Sequence, residues 1–415
     1  MVYKHNGQCR FCNAPLKNTV IDLGMQPLCE NFLNHKQLNQ MEPHYPLHVY
    51  VCDKCFLVQL EEFVPPSEIY DDYAYFSSYS DSWLAHAKKY TQTVIDKFNL
   101  NNQSLVAEIA SNDGYLLQYF KEKNIPVLGI DPAETAARIA INERGINTEI
   151  IFFGVETAKV LQHKYGSPDL ILGNNVLAHV PNINDFVSGM KIFLKTGGLI
   201  TMEFPHLQRL IEDNQFDTIY HEHFSYLSFS VVNEIFKSHG LTIWDVEKLP
   251  THGGSLRIYG KHADDKSKVV TKNVTKLLEQ EREIGYNKLK YYEQFKVKVH
   301  ETKRKILKFF IQAKNQKKQI VGYGAPGKGN TLLNFCGIRT DFLDYTVDRN
   351  PAKHNHFLPG TLIPIYSTSK IVETKPDYVF ILPWNLKDEI MEQQNYIKDW
   401  GGKFVVPIPE IVIFD

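Results

Sequence analysis

Short apolar runs alternate with segments of helical periodicity over much of the chain. Five such runs lie in the middle block, at 104–109, 126–130, 148–152, 170–173 and 199–203. Continuous apolar strands separated by helices are typical of a parallel sheet that is buried on both faces. Two later strands, 241–246 and 255–259, are joined by His252-Gly253-Gly254 and predict an antiparallel pair at the edge of that sheet.

The pattern changes on either side of this block. The first part of the chain is rich in loops and short strands, whereas 274–314 is charged and periodic and predicts one long amphipathic helix, interpreted as a solvated connection. Further apolar runs follow at 319–323, 344–347, 378–382 and 404–406. They predict a second, smaller α/β unit. We therefore expect an α/β protein with three domains, at 1–70, 71–268 and 269–415.

Composition narrows the possible partners. The 415 residues contain 46 Lys and Arg against 47 Asp and Glu, so the formal net charge of −1 does not favour a nucleic acid or a membrane surface. No apolar stretch approaches the ~20 residues that cross a bilayer. The first residues, MVYKHNGQCRFC, lack the apolar core of a signal peptide, so we expect a cytoplasmic protein.

Four of the six cysteines form two close pairs, Cys9-x2-Cys12 and Cys52-x2-Cys55. Four thiolates at this spacing suit tetrahedral Zn²⁺. A disulfide framework is untypical of so long a chain with so few cysteines. The long gap between the pairs argues against a thioredoxin-like redox site. We predict a structural zinc ion that folds a domain with little core of its own.

The segment Glu108-Ile-Ala-Ser-Asn-Asp-Gly114 lies between a predicted strand and a predicted helix, where open α/β sheets bind ligands. It resembles the first motif of S-adenosylmethionine (SAM) methyltransferases. Asp131 ends the next strand, where a carboxylate can accept both ribose hydroxyls. NAD enzymes place an acid similarly, but this turn lacks the three glycines of a dinucleotide site. The predicted cofactor-binding residues are Glu108, Ala110, Asn112, Gly114, Asp131, Pro132, Asn174 and Asn175.

The densest cluster of reactive side chains is YHEHFSY, at 220–226. Its His and Glu side chains could bind a metal ion, pack as buried polar groups, or act as general acid and base. The position after the fifth predicted strand, near the expected methyl donor, favours catalysis. His179 would reach the same pocket, and Tyr73 and Tyr75 would cover it from the segment between the domains.

A glycine-rich loop, GYGAPGKGN at 322–330, follows a strand and opens a helix. Backbone N–H groups there form an anion site, aided by Lys328. The loop matches neither a full Walker motif nor GxGxxG, although Asp348 would suit a ribose in an NAD site. An NAD-dependent sugar oxidoreductase is therefore an alternative function, and a zinc-bearing nucleic-acid adaptor is a third.

Six motifs in order resemble those of the bacterial deoxysugar C-methyltransferases, which methylate a ring carbon of a nucleotide-linked keto-sugar. They are the two CxxC pairs, the Glu108–Gly114 loop, NNVLAHVP from Asn174, YHEHFS from Tyr220, HGGSLRIY from His252 and YGAPGKGN from Tyr323. The family usually has glycine where this chain has Ala110. An added methyl group there could narrow the cofactor turn if its backbone requires φ > 0.

The resemblance implies roles for individual residues. His223, the second His of YHEH, removes the proton beside the ketone, Glu222 orients or polarises it, and Tyr220 hydrogen-bonds the sugar or enolate oxygen. His179 and Tyr75 are further catalytic candidates. The expected substrate-binding residues are Tyr73, His252, Gly324, Lys328 and Asn330.

The resemblance also implies the ligands. We expect SAM as methyl donor, a remote structural zinc ion, and a dTDP-linked or other nucleoside-diphosphate keto-deoxyhexose as substrate. Methylation is expected at C3, with C5 as the closest variant. We expect the protein to act as a monomer.

Overall fold

The computed structural model describes residues 7–65 and 76–415, so the predicted site residues Tyr73 and Tyr75 lie outside the described ranges. The strands are β1 (Asn18–Gln26), β2 (Tyr45–Val51), β3 (Val58–Leu60), β4 (Val106–Ile109), β5 (Val127–Ile130), β6 (Thr148–Glu149), β7 (Leu170–Asn174), β8 (Leu199–Pro205), β9 (Ser225–Tyr226), β10 (Leu241–Leu249), β11 (Ser255–His262), β12 (Ile320–Tyr323), β13 (Thr346–Asp348), β14 (Ile365–Ser367), β15 (Tyr378–Ile381), β16 (Lys403–Val406) and β17 (Val412–Phe414). The helices are α1 (Asp81–Phe98), α2 (Leu117–Lys121), α3 (Glu134–Asn142), α4 (Val155–Tyr165), α5 (Ile183–Phe193), α6 (Leu207–Glu212), α7 (Phe229–Ser238), α8 (Lys272–Ile284), α9 (Leu289–Asn315), α10 (Gly327–Cys336), α11 (Ser369–Thr374) and α12 (Lys387–Gln393).

The central sheet has seven strands in the order β10-β11-β8-β7-β4-β5-β6. Strands β4 to β8 are parallel, and β11 and β10 add an antiparallel edge, which confirms the prediction from the apolar runs. The register pairs Ser255 with Pro205. The turn between β10 and β11 therefore lies at the edge where the parallel strands end, which is where ligands of open sheets bind.

The first sheet, β1-β2-β3-β9, is antiparallel and takes its last strand from the middle of the chain. Val58 pairs with Tyr226 and Gln59 with Ser225. The Arg10 guanidinium adds a second link, since it donates to the Pro181 carbonyl oxygen over 2.7 Å. The cysteine-bearing segment is thus joined by backbone pairing to the segment that follows YHEH.

The predicted single helix at 274–314 is wrong, because α8 ends at Ile284 and α9 begins at Leu289. Gly285 separates them with φ of 104°, a left-handed conformation that glycine adopts without strain. Nor is α9 merely a solvated connection. Phe295 and Phe310 on its buried face belong to one apolar core with Ile21 of β1 and Ile320 of β12.

The third sheet runs β14-β13-β12-β15-β16-β17, parallel except for β17. Strand β12 lies inside the sheet, so the glycine-rich loop after it opens at the carboxyl edge, as the sequence predicts. Across 7–65 and 76–415, the helices are too short or too polar to cross a membrane.

Candidate active site

The turn after β4 is tied to the end of β5 by one carboxylate. Asp131 Oδ2 accepts a hydrogen bond from the Asn112 N–H (2.7 Å), and its Oδ1 accepts one from the Ala133 N–H (2.8 Å). Gly114 has φ of 77° and no room for a side chain, because a Cβ atom would lie 2.5 Å from Ile146 Cδ1. These contacts bring the predicted cofactor residues on β4 and β5 together, with Pro132 next to Asp131.

Two further positions of this turn also have left-handed backbones. Ala110 has φ of 59° and Asn112 has φ of 50°. Asparagine tolerates this region better than alanine does. Ala110 therefore occupies a position where glycine would be the less strained residue.

We expect Ala110→Gly to stabilise the protein by about 0.5–1 kcal/mol. A left-handed alanine costs roughly 1–2 kcal/mol, and the greater freedom of glycine in the unfolded chain offsets about 0.4–1 kcal/mol. Denaturant unfolding measures the difference. Ala107→Gly, in the neighbouring strand β4, is the matched control and should lower the free energy of unfolding. Equal losses of unfolding free energy in both variants would contradict backbone strain at Ala110.

Buried carboxylates give the turn an unusual electrostatic character. Glu108 is fully buried, and neither of its Oε atoms has a hydrogen-bond partner. Burial, and then the charges of Asp131 and Asp113, raise the pKa of Glu108 well above its usual value. Burial also raises the pKa of Asp131 to about 6. A cationic ligand that donates hydrogen bonds compensates such a site, and the ammonium, sulfonium and ribose hydroxyls of SAM fit that description.

Asn174 and Asn175 follow at the end of β7. The Asn174 side chain donates to the Tyr115 hydroxyl over 3.4 Å. Asn175 has φ of 56°, and its Nδ2 lies 3.4 Å from His252 Nε2 in the β10–β11 turn. The structure thus brings the predicted substrate residue His252 against the predicted cofactor residue Asn175.

His223 is oriented by the backbone. Its Nδ1–H donates to the Thr218 carbonyl oxygen (2.9 Å), which leaves the lone pair on Nε2. The ring lies 4.7 Å from the His179 ring and 4.0 Å from the Tyr220 ring, between centroids. Burial, and then His179, lower the pKa of His223 well below its usual value, so the imidazole is neutral at neutral pH.

The other two polar side chains of YHEH contact the first part of the chain. Glu222 accepts a hydrogen bond from the Cys29 thiol (3.6 Å), and burial, followed by the charge of Glu30, raises its pKa to about 8. His221 Nε2 donates to the Pro46 carbonyl oxygen over 3.3 Å. The expected orienting contact from Glu222 to His223 is therefore replaced by the one from Thr218, because Glu222 is directed toward the first domain.

Lys328, near the start of α10, lies beside the same histidines. Its Nζ donates to Asn385 Oδ1 (2.8 Å) and lies 4.6 Å from the Trp384 ring centroid. Trp384 in turn donates to the buried Asp217 carboxylate over 2.7 Å. Burial, and then the Lys328 ammonium, lower the pKa of His252 to about 4. Lys328 is thus a cation held in place beside two histidines of the site.

The rest of the glycine-rich loop contacts other parts of the protein. The Glu30 carboxylate accepts a hydrogen bond from the Gly327 N–H at the start of α10, and Lys353 Nζ lies 3.3 Å from its Oε2. Asn330 is buried and donates to the Cys29 carbonyl oxygen (2.5 Å), whereas the Gly324 N–H donates to Val347 within the sheet. The Glu30 carboxylate therefore takes up one of the backbone N–H groups at the start of α10.

The four paired cysteines converge as predicted. All four Sγ atoms lie within 4.8 Å of one another, with 3.5 Å between those of Cys9 and Cys55 and between those of Cys12 and Cys52. Zn–S bonds of about 2.3 Å place the sulfurs of a tetrahedral site about 3.8 Å apart, so the cluster fits a zinc ion. Within the described part of the chain it is the one group of three or more such ligands, and YHEH forms none.

Sequence reasoning missed two contributors to this pocket. The Thr218 carbonyl carries no side-chain signal, so no pattern could have marked it. Glu203 did carry a signal, since it is a charged residue inside the apolar strand Leu199–Pro205 and is fully buried. Its carboxylate binds Arg257 of β11 over 2.8 Å.

Comparisons with known proteins identify the family. Three family models match: a zinc binding domain at 9–70, a methyltransferase domain at 84–246 and a C-methyltransferase C-terminal domain at 250–409. The C-methyltransferase NovU of Streptomyces niveus is 33% identical over 403 residues, which cover 97% of this chain and 96% of NovU.

Solved structures show a partial likeness to the chain. A SAM-dependent methyltransferase of Anabaena variabilis shares 15% identity at a TM-score of 0.37, covering 43% of this chain and 86% of its own. The PH0226 protein of Pyrococcus horikoshii shares 17% identity at a TM-score of 0.36, covering 48% and 96%. With a whole-length relative and matching models for all three parts, the chain belongs to the SAM-dependent C-methyltransferases.

Proposed function

We propose that this C-methyltransferase adds a methyl group to C3 of a nucleoside-diphosphate 4-keto-deoxyhexose, through an enolate. The observation that carries the proposal is the geometry of His223. Its Nδ1–H is committed to the Thr218 carbonyl, so Nε2 is the basic atom, and the pKa shift keeps it unprotonated at neutral pH. A general base of this kind is what removal of a proton beside a ketone requires.

The residues around His223 suit the rest of this chemistry. The C–H bond beside the ketone breaks, its proton passes to His223 Nε2, and the electron pair is delocalised onto the ketone oxygen. Burial raises the pKa of Tyr220 well above its usual value, so its hydroxyl keeps the proton that it donates to that oxygen. SAM, when bound, would supply the electrophilic methyl group for the new C–C bond, with its S–CH3 bond breaking and its sulfur leaving as a neutral thioether. His179, also neutral, is a second acid–base group beside His223.

Other assignments are part of the same proposal. We assign zinc binding to residues 1–70, the cofactor and base to 71–268, and a contribution to substrate binding to 269–415. Lys328 supports an anionic substrate, since this cation at the start of α10 lies beside His223 and His252, and a sugar diphosphate carries negative charge. Tyr73 and Tyr75 remain candidates for covering the sugar.

Hydrogen exchange at the sugar ring tests the proposal. The protein is mixed with a dTDP-4-keto-6-deoxyhexose in D₂O, with and without SAM, and the sugar is followed by mass spectrometry and NMR. We expect enzyme-dependent deuterium uptake beside the ketone and, with SAM, the mass gain of one methyl group at C3. Deuterium and the new methyl group at C5 would show that the enzyme acts on that carbon.

A thermal-shift comparison separates the enzyme classes. A ligand that binds the folded state raises the melting temperature, so SAM is expected to protect the protein and NAD is not. The hydrogen bond from the Gly327 N–H to the Glu30 carboxylate supports this expectation, since it uses one backbone N–H group that a bound phosphate would need. If SAM raised the melting temperature but neither deuterium uptake nor methyl transfer occurred, this sugar would be rejected as the substrate. SAM would remain the assigned cofactor.

A further inference from the structure

A buried carboxylate in β8 joins three other elements at the edge of the site. Glu203 is fully buried, and its Oε2 lies 2.8 Å from Arg257 Nη2 on β11 and 3.0 Å from His86 Nε2 on α1. Its Oε1 accepts a hydrogen bond from the Thr251 hydroxyl over 2.8 Å. Arg257 compensates the charge of Glu203, so the contact with Thr251 is an additional constraint on the β10–β11 turn.

That turn holds His252 in an uncommon conformation. His252 has φ of 53° and ψ of 27°, in the left-handed region that a non-glycine residue adopts at a cost. Its ring lies 4.8 Å from the Trp83 ring centroid in an edge contact, and its Nδ1 is buried without a hydrogen-bond partner. Strain of this kind persists only where surrounding contacts fix it.

Glu203 also fixes the residue that His252 faces. Asn175, likewise left-handed with φ of 56°, donates its backbone N–H to the Glu203 carbonyl oxygen over 2.7 Å. One residue thus controls both sides of the 3.4 Å contact between Asn175 and His252, through its carbonyl on one side and its carboxylate on the other.

We propose that Glu203 and Thr251 are positioning residues, whose hydrogen bond locks the β10–β11 turn and presents His252 to the sugar substrate. The lock itself follows from the contacts of the protein, whereas the identity of the ligand rests on the proposed function. A hydrogen bond that served folding alone would change stability and leave sugar kinetics unchanged, which separates the two roles.

Thr251→Val removes the hydroxyl while keeping the shape of the side chain and the Glu203–Arg257 pair. We expect kcat/KM for the sugar to fall about tenfold, the size expected for loss of one hydrogen bond to a charged group. Amide exchange across 250–255 should accelerate to a similar extent, because the turn opens locally. SAM affinity, measured by calorimetry, should stay within about twofold. Thr251→Ser should restore both kinetics and exchange.

Thr201→Val is the matched control. Thr201 lies two residues before Glu203 in β8 and is buried. Its hydroxyl forms a hydrogen bond with the Tyr90 hydroxyl and does not contact the β10–β11 turn. The variant should lose stability without changing exchange at 250–255 or sugar kcat/KM. If the turn of Thr251→Val exchanged its amide hydrogens at the wild-type rate, the hydrogen bond would not hold the turn. If exchange were faster but kcat/KM for the sugar were unchanged, the positioning role would be rejected. If the wild-type protein were inactive on the keto-sugar, the proposed substrate would be rejected. The amide-exchange comparison would still test whether the Glu203–Thr251 hydrogen bond holds the turn.

Discussion

Replacing His223 with asparagine is expected to lower kcat by about 10²–10⁴-fold, the usual contribution of a general base, and to leave SAM affinity unchanged. The asparagine amide can still donate a hydrogen bond to the Thr218 carbonyl, so the backbone around the site is kept. What is lost is the basic Nε2 atom. Steady-state kinetics with the keto-sugar and calorimetric titration with SAM measure the two quantities separately.

His221→Asn is the matched control for this variant. His221 belongs to the same motif, but its Nε2 is bound to the Pro46 carbonyl in the first domain. We expect its kcat to remain within about threefold of wild type, since it touches none of the proposed reacting groups. Full turnover in His223→Asn would refute the base assignment, and a larger loss in His179→Asn would transfer the role to His179.

The largest effect on stability is expected from Cys52→Ser. The structure places four cysteine sulfurs for one metal ion, so we expect about one zinc per chain and its loss in the variant. Structural zinc contributes about 10–16 kcal/mol to the folding of small domains, so the first domain should unfold at moderate temperature without it. Elemental analysis and thermal unfolding, with and without a chelator, measure both effects.

Cys336→Ser provides the comparison. Cys336 is also buried but lies outside the metal cluster, so its replacement should keep the zinc and cost about 1 kcal/mol. Turnover should also fall with Cys52→Ser, because β3 pairs with the strand that directly follows YHEHF, so unfolding of the first sheet would disturb the site. A fully folded, metal-free preparation would contradict the zinc site.

Local pattern predicted most of the fold because buried parallel strands leave continuous apolar runs. It failed where one residue interrupts a continuing pattern: the charged periodicity runs through Gly285, and only the backbone conformation there ends α8. Strand β9 has two residues and exists only because β3 offers it a partner. A pairing of that kind leaves no periodic signal in either segment.

The site was predictable as a set of motifs and less so in its side-chain directions. The cofactor loop, the histidines and the cysteine cluster converge as the motifs indicate. Glu222 and Asn330 both contact Cys29, a residue far away in the sequence, and neither motif predicts that contact. Neighbouring side chains of one motif can point in different directions. Their contacts here depend on how the first domain packs against the motif.

The late position of β9 in the chain affects how the first sheet forms during synthesis. The last cysteine of the zinc site precedes β9 by about 170 residues, which a ribosome adds in about 8–35 s at 5–20 residues per second. During that interval the edge of β3 has no partner, while the metal ligands have all emerged. We therefore expect zinc to bind the nascent chain before the first sheet is complete, so that metal supply during translation limits the yield of folded enzyme.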